Sequence, residues 1–183
     1  GLSYIPGQWL ESIQIAKGPS SVVNGLEAIT GQINLEHRKP TDEKPLFINL
    51  FLADNMRTEA NVASSLQLNE KWSTVLLGNI SNDPQGHDGN HDGFRDEPVA
   101  SQINFSNRWL YAPADGIQLR FGFRALKDDR LGGQSQFKKG DDHLTSQYWG
   151  SRVKNSGLNS YVKLGIPLNA DNSMNIAGVV DYT

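Results

Sequence analysis

The chain has 183 residues, 17 basic and 20 acidic, with a net charge of -3 and no cysteine. This excludes disulfides and cysteine-ligated zinc, and the scattered basic residues do not form a nucleic-acid footprint. Hydrophobic residues make up 37% and the mean hydropathy is -0.49. No apolar run approaches the ~18 residues of a membrane-spanning helix. Transmembrane barrels alternate polar and apolar residues and escape that test.

The chain reads as two zones, 1–40 and 41–183. In the first, Leu10-Glu11-Ser12-Ile13-Gln14-Ile15-Ala16 alternates like a strand. Lys17-Gly18-Pro19-Ser20 is a turn. Ser20 or Ser21 is placed to cap one helical turn through Val22-Val23-Asn24, and Gly25 to end it. Gly31-Gln32-Ile33-Asn34-Leu35-Glu36 resumes a strand, and the charged, proline-bearing stretch 38–45 is a linker.

The second zone is a run of seven expected strands, at 46–54, 60–69, 72–81, 102–111, 117–125, 159–168 and 173–183. The clearest puts Ile117, Leu119, Phe121, Phe123 and Ala125 on one face, with Gln118, Arg120, Gly122 and Arg124 on the other. The strand before it opposes Ile103, Phe105, Trp109 and Tyr111 to Gln102, Asn104, Ser106 and Arg108. From Asn69 onward the connections alternate short and long. Trp72, Trp109 and Tyr111 sit beside the short ones. Short turns at one end, long loops at the other and an aromatic girdle are the layout of an outer-membrane barrel. A soluble sandwich also alternates, and its apolar face would be its core.

Between the third and fourth of these strands lies Gly86-His87-Asp88-Gly89-Asn90-His91-Asp92-Gly93-Phe94-Arg95-Asp96-Glu97. Asp88, Asn90 and Asp92 match positions one, three and five of a twelve-position calcium loop. Gly93 matches six and Asp96 nine. Val99 stands where the bidentate Glu belongs, and Pro84 and Pro98 bracket the loop, so an EF-hand is not expected. A looser calcium site on Asp88, Asn90, Asp92 and Asp96 remains an expectation, with Asp128, Asp129, Asp141 and Asp142 as further donors. The plain reading is a solvated loop of turn formers. No spacing supports a nucleophile, base and orienter, so no enzyme is expected. Tyr148 and Trp149, in the next long connection, are positioned to stack on a ligand or to pack their own loop.

The stretch from Leu10 through Lys17-Gly18-Pro19 and Gly25, continuing as Ala28-Ile29-Thr30-Gly31-Gln32-Ile33-Asn34-Leu35, resembles the end of the plug domain of TonB-dependent outer-membrane receptors. In that family a Glu-x-Ile-x-Ile strand leads to a basic residue, Gly-Pro, a short helical turn, Gly, and then Ala-Ile-x-Gly-x-Ile-Asn. Asn24 departs from the Tyr often found there. The resemblance implies that residues 1–40 are the C-terminal part of a plug and 41–183 the first strands of a barrel of about 22 strands. Both ends read as cut, so a longer parent chain is expected. The implied fold class is all-β, a partial antiparallel transmembrane β-barrel behind a plug end. The implied function is energy-coupled uptake of a scarce bulky nutrient: a metal chelate, haem, cobalamin or glycan. The implied partners are the TonB complex, outer-membrane lipid and the cargo, and the implied location is the outer membrane of a Gram-negative bacterium. Lys17 is implied to face acidic groups on the barrel wall, against the plain reading of a solvated lysine at a turn. Arg108, Arg120 and Arg124 are implied to face plug carboxylates, where a soluble protein would have a wet face. Calcium is implied for the acidic loop, because cobalamin receptors of this family order outer loops with calcium through a similar Asp-Gly-Phe stretch. Gly18, Pro19, Gly25 and Gly31 are structural. The competing expectation is a soluble calcium-binding β module for adhesion or carbohydrate binding.

Overall fold

A computed structural model describes residues 4–18, 31–41, 45–142, 144–169 and 174–183. The chain divides into two compact units, Gly1–Lys39 and Pro40–Thr183. Its architecture is all-β, with one antiparallel two-stranded sheet and one antiparallel seven-stranded sheet.

The first unit is built on β1 (Leu10–Lys17) and β2 (Gly31–His37), paired from Leu10↔His37 to Lys17↔Gly31 with an irregularity between Leu10 and Ser12. A 3-10 turn, Gly7–Trp9, precedes β1 and was not legible as an element in the sequence. It buries Trp9 completely, and the Trp9 carbonyl accepts from the Arg38 N–H at 2.9 Å. At Gly31 a β-carbon would stand 2.7 Å from the Ala16 carbonyl oxygen, so the strand pair closes only over glycine. Gly18 takes φ +91°, where glycine is favoured. Pro19, Gly25 and the expected helical turn at 22–24 lie outside the described residues.

On the solvent side the Ser12 hydroxyl donates to Glu36 at 2.9 Å, and the Lys39 ammonium lies 2.6 Å from Glu36. Lys39 and Ser12 together hold the Glu36 carboxyl below its usual range. This pairing therefore supports the unit above the ordinary carboxylate range and is lost as pH falls through the lowered value.

The second unit is an uninterrupted meander in sequence order. Its strands are β3 (Phe47–Leu52), β4 (Thr58–Gln67), β5 (Trp72–Asp83), β6 (Val99–Tyr111), β7 (Gln118–Gly133), β8 (Gly150–Pro167) and β9 (Asn175–Tyr182). Neighbouring strands joined by a turn pair antiparallel because each can return directly along the other. In the turn between β4 and β5, Asn69 Oδ1 accepts from the N–H groups of Lys71 and Trp72, both at 2.9 Å.

β7 and β8 run well past their expected ends. The apolar alternation stops at Ala125, which made the following residues read as loop. Yet the ladder continues through Lys127↔Ser156 and Asp129↔Lys154 to Gly133↔Gly150. Cross-strand polar pairs sustain a strand as apolar pairs do. Asp128 and Asp129 are therefore strand residues rather than donors of a long connection. Asp128 pairs with Arg130 at 3.1 Å, and Arg152 grips Asp129 through two bonds of 2.8 and 2.6 Å.

Candidate functional site: an exposed apolar belt, a polar face and two braced loops

Register sorts the seven strands into two faces. Position by position, Leu50, Ala60, Ile80, Ile103 and Lys127 align across β3 to β7. One step along lie Ile48, Val62, Gly78, Phe105, Ala125 and Leu158. This face also carries the Ile117–Ala125 alternation. It is apolar and it is exposed: Leu50 is 75% accessible, Ile80 57%, Phe123 42% and Val180 73%.

The opposite face reverses the usual rule. Asn61, Asn79 and Asn104 are at most 4% accessible, and Ser65, Ser73, Ser106 and Asp128 are buried as well. Val75 and Leu77 are buried beside them. The edge strands depart from this contrast, since Phe51 and Val179 are exposed on the polar side. Water-soluble sheets bury their apolar face, because each square ångström withdrawn from water is worth ~25 cal/mol. An apolar face left open over seven strands far exceeds the scattered exposed hydrophobes of an ordinary surface. Among the described residues no helix is long and apolar enough to cross a membrane.

The aromatic residues singled out beside the short turns come together on the apolar face. Trp72 pairs with Tyr111 and their rings lie 4.7 Å apart. Trp109 meets Trp72 edge-on at 6.2 Å and stacks on Phe121 at 6.1 Å. Thr74 and Asn107 are polar residues within this cluster, and both are internally satisfied. Thr74 donates to the Arg108 carbonyl at 3.0 Å, and Asn107 donates to Thr74 Oγ1 at 3.0 Å. Polar groups so arranged tolerate an apolar surrounding, because none is left without a partner.

The polar face holds a feature the sequence reading missed. Asn49, Asn61, Asn79 and Asn104 occupy one register row across β3 to β6. Their amides are linked in series. Asn61 donates to Asn49 at 3.4 Å, Asn79 to Asn61 at 2.8 Å and Asn104 to Asn79 at 3.2 Å. Glu59 accepts from Asn61 at 2.8 Å at one end, and Arg124 donates to Asn104 Oδ1 at 3.2 Å at the other. An asparagine can donate and accept at once, so a row of them propagates without orphaning a group. The signal was present as one Asn per strand, at positions that only the register aligns.

At the far end from the short turns, the connections 84–98 and 134–149 are interlocked. Phe94 bridges Gln134, and the Ser135 N–H donates to the Gly93 carbonyl at 2.8 Å. Arg95 spans the gap, donating to the carbonyls of Gln134, Ser135 and Phe137 at 2.6, 2.7 and 2.8 Å. Its stem runs where a side chain on Gly86 would stand. Phe137 is buried against Gly150. On top, Phe94 and Trp149 face each other at 6.3 Å, with Trp149 66% exposed.

Arg95→Ala removes three bonds from a charged donor, each worth ~1.5–3 kcal/mol where its acceptor is buried. Hydrogen exchange should then speed up in both connections together, with strands β5 to β8 unchanged. Faster exchange only around residue 95 would show that the two loops move independently.

The acidic loop satisfies itself. Both Asp88 oxygens accept backbone N–H bonds, from Asp92 at 3.2 Å and Gly93 at 3.0 Å. Asp92 accepts from the Phe94 N–H at 2.8 Å and from the Asn90 amide at 3.1 Å. Asp96 accepts from the Gly89 N–H at 2.7 Å. These are turn bonds that Asp and Asn make to nearby backbone. Among the described residues no three His, Asp or Glu side chains gather so as to hold a metal ion. The loop as it stands does not present a ring of carboxylates. Asp141 and Asp142 likewise cap their own turn, accepting from Lys138 N–H at 2.9 Å and Leu144 N–H at 3.0 Å.

Lys17 stands at the end of β1 and makes no ion pair with the described residues. Arg108 donates to the Tyr161 hydroxyl at 3.2 Å and Arg120 to Gln118 at 2.9 Å, both on the polar face.

No protein-family model matches this chain, and no curated protein matches it significantly.

Proposed function

We propose that this chain belongs to a TonB-dependent receptor of a Gram-negative outer membrane, a transporter rather than an enzyme. In this reading residues 1–40 end a plug and the seven-stranded sheet begins a transmembrane barrel. The observation that carries it is the inverted burial of that sheet. Its apolar face is open and its polar face is buried across the central strands β4 to β6, as a barrel wall between lipid and a polar lumen requires. The aromatic cluster of Trp72, Trp109, Tyr111 and Phe121 at the short-turn end suits the interfacial level of a bilayer. The plug-like sequence of the first unit supplies the family. A soluble β module draws no support from the burial pattern, since it would leave its intended core in water.

The cargo is proposed to be a scarce bulky nutrient: a metal chelate, haem, cobalamin or glycan. The braced loops carrying Phe94 and Trp149 would face the medium and offer aromatic surface to it. Energy would come from the TonB complex. Calcium belongs to this reading as an ordering ion of the 84–98 connection. It would have to compete with the backbone N–H groups that Asp88, Asp92 and Asp96 now serve.

The test is calorimetric titration of the receptor in detergent with cobalamin, haem, ferric siderophores and oligosaccharides, with and without calcium. Binding of one cargo, weakened by Trp149→Ala, is the expected result. Failure of every class to bind would remove the uptake reading. Binding that is indifferent to calcium chelation would reduce the acidic loop to a polar turn and leave the transporter in place.

A further inference from the structure

Arg120 on β7 and Lys163 on β8 are direct register partners on the polar face. Like charges placed opposite each other destabilise a sheet, so such a pair calls for an explanation. Neither side chain forms an ion pair among the described residues. Asp181, the acid on this face of β9, stands opposite Tyr161, one step away from Lys163. Among the described residues the Arg120 side chain donates to Gln118 Oε1 at 2.9 Å.

Beside this pair is a cavity of about 370 Å³, lined by Gln118, Arg120, Lys163 and Asn175. Its floor is open because Gly165 and Ala177, partners across β8 and β9, are small. A β-carbon at Gly165 would meet nothing nearer than the Gln118 carbonyl oxygen at 3.9 Å, so no packing demand selects glycine there. Two cations, two amides and a floor of small residues, with Ile166 and Pro167 also lining it, form a hollow whose missing element is negative charge.

We propose that this cavity binds a small multivalent oxyanion, a carboxylate or phosphate compound taken from water. The guanidinium fork of Arg120 would accept two oxygens side by side, Lys163 would supply a point charge, and Gln118 and Asn175 would bond the remaining polar atoms. The volume exceeds a single phosphate and lies at the lower end of small-molecule sites, ~300–1,000 Å³. A di- or tricarboxylate, or a phosphorylated small molecule, fits this size. The cavity opens on the face opposite the apolar belt, so lipid headgroups are not its source. The site rests on strand register and cavity shape, while the exclusion of lipid headgroups rests on the receptor reading.

The test uses the intact protein in detergent, titrated with citrate and with inorganic phosphate at fixed ionic strength, against chloride. Calorimetry and thermal unfolding are the readouts. Citrate is expected to bind and to raise Tm beyond the chloride control. Arg120→Gln and Lys163→Gln should each weaken binding at least about tenfold, since each removes a charged donor to the oxyanion. Lys127→Gln, a charge on the opposite face, should leave binding unchanged. In anion-free buffer Lys163→Gln should raise Tm, because the facing repulsion is gone. Equal effects of citrate, phosphate and chloride would overturn the proposal, as would citrate binding that survives both substitutions. No binding of either oxyanion would also overturn it and would leave an acidic side chain of the protein as the occupant.

Discussion

Phe123→Arg is expected to abolish membrane assembly while barely disturbing any water-soluble version of the same sheet. Phe123 sits mid-strand on the exposed face, paired with Asn107 and Ser160, and is 42% accessible. Its ring meets Phe105 at 5.7 Å. An arginine at mid-depth on a lipid-facing strand costs ~2–4 kcal/mol. An exposed residue of a soluble protein tolerates the same change within about 0.5 kcal/mol. The two solvents therefore predict opposite results from one substitution. Loss of the heat-modifiable folded band on gels is the outcome expected. A variant that assembles like wild type would argue that Phe123 faces water.

The second large effect is expected at the asparagine row. Asn79 links Asn61 to Asn104 and is 4% accessible. Asn79→Ala leaves the Asn61 oxygen and the Asn104 amide without these partners. Each of the two stranded buried groups costs ~1–3 kcal/mol, so a loss of about 2–6 kcal/mol is expected. Urea unfolding in detergent would read it as a lower midpoint at unchanged slope. Asn49→Ala, at the end of the row over a 3.4 Å bond, should cost much less. Equal losses at the two positions would contradict the picture of a row anchored in its middle.

The strands themselves were largely legible, because alternation of period two is a property of single residues. The seven elements of the second zone fall where Ile117–Ala125 and its neighbours place them. What escaped the reading was whatever depends on register. The Asn row, the Arg120–Lys163 pair and the Arg95 brace join residues tens of positions apart, with no local pattern to announce them. The extension of β7 and β8 escaped for another reason. Polar cross-strand pairs such as Asp129 with Lys154 hold strand as well as apolar ones do, yet they read as loop. The acidic loop shows the opposite failure. Its spacing suits calcium, but Asx turns use the same residues, and here the oxygens are engaged with backbone. Of the glycine and proline positions, Gly31 and Gly18 have visible backbone reasons, while Pro19 and Gly25 lie outside the described residues.

The most direct measurement concerns which solvent touches each face. The chain contains no cysteine, so single cysteines can be introduced and labelled with a polarity-sensitive fluorophore without background. Along β7, positions 119, 121, 123 and 125 should be quenched by brominated lipid and shielded from aqueous iodide, and positions 118, 120 and 124 should not be quenched by lipid. A period-two alternation in lipid quenching is the predicted result. Iodide quenching at Phe123 and Leu119, with no response to brominated lipid, would place the apolar face in water or under a protein partner and contradict the account.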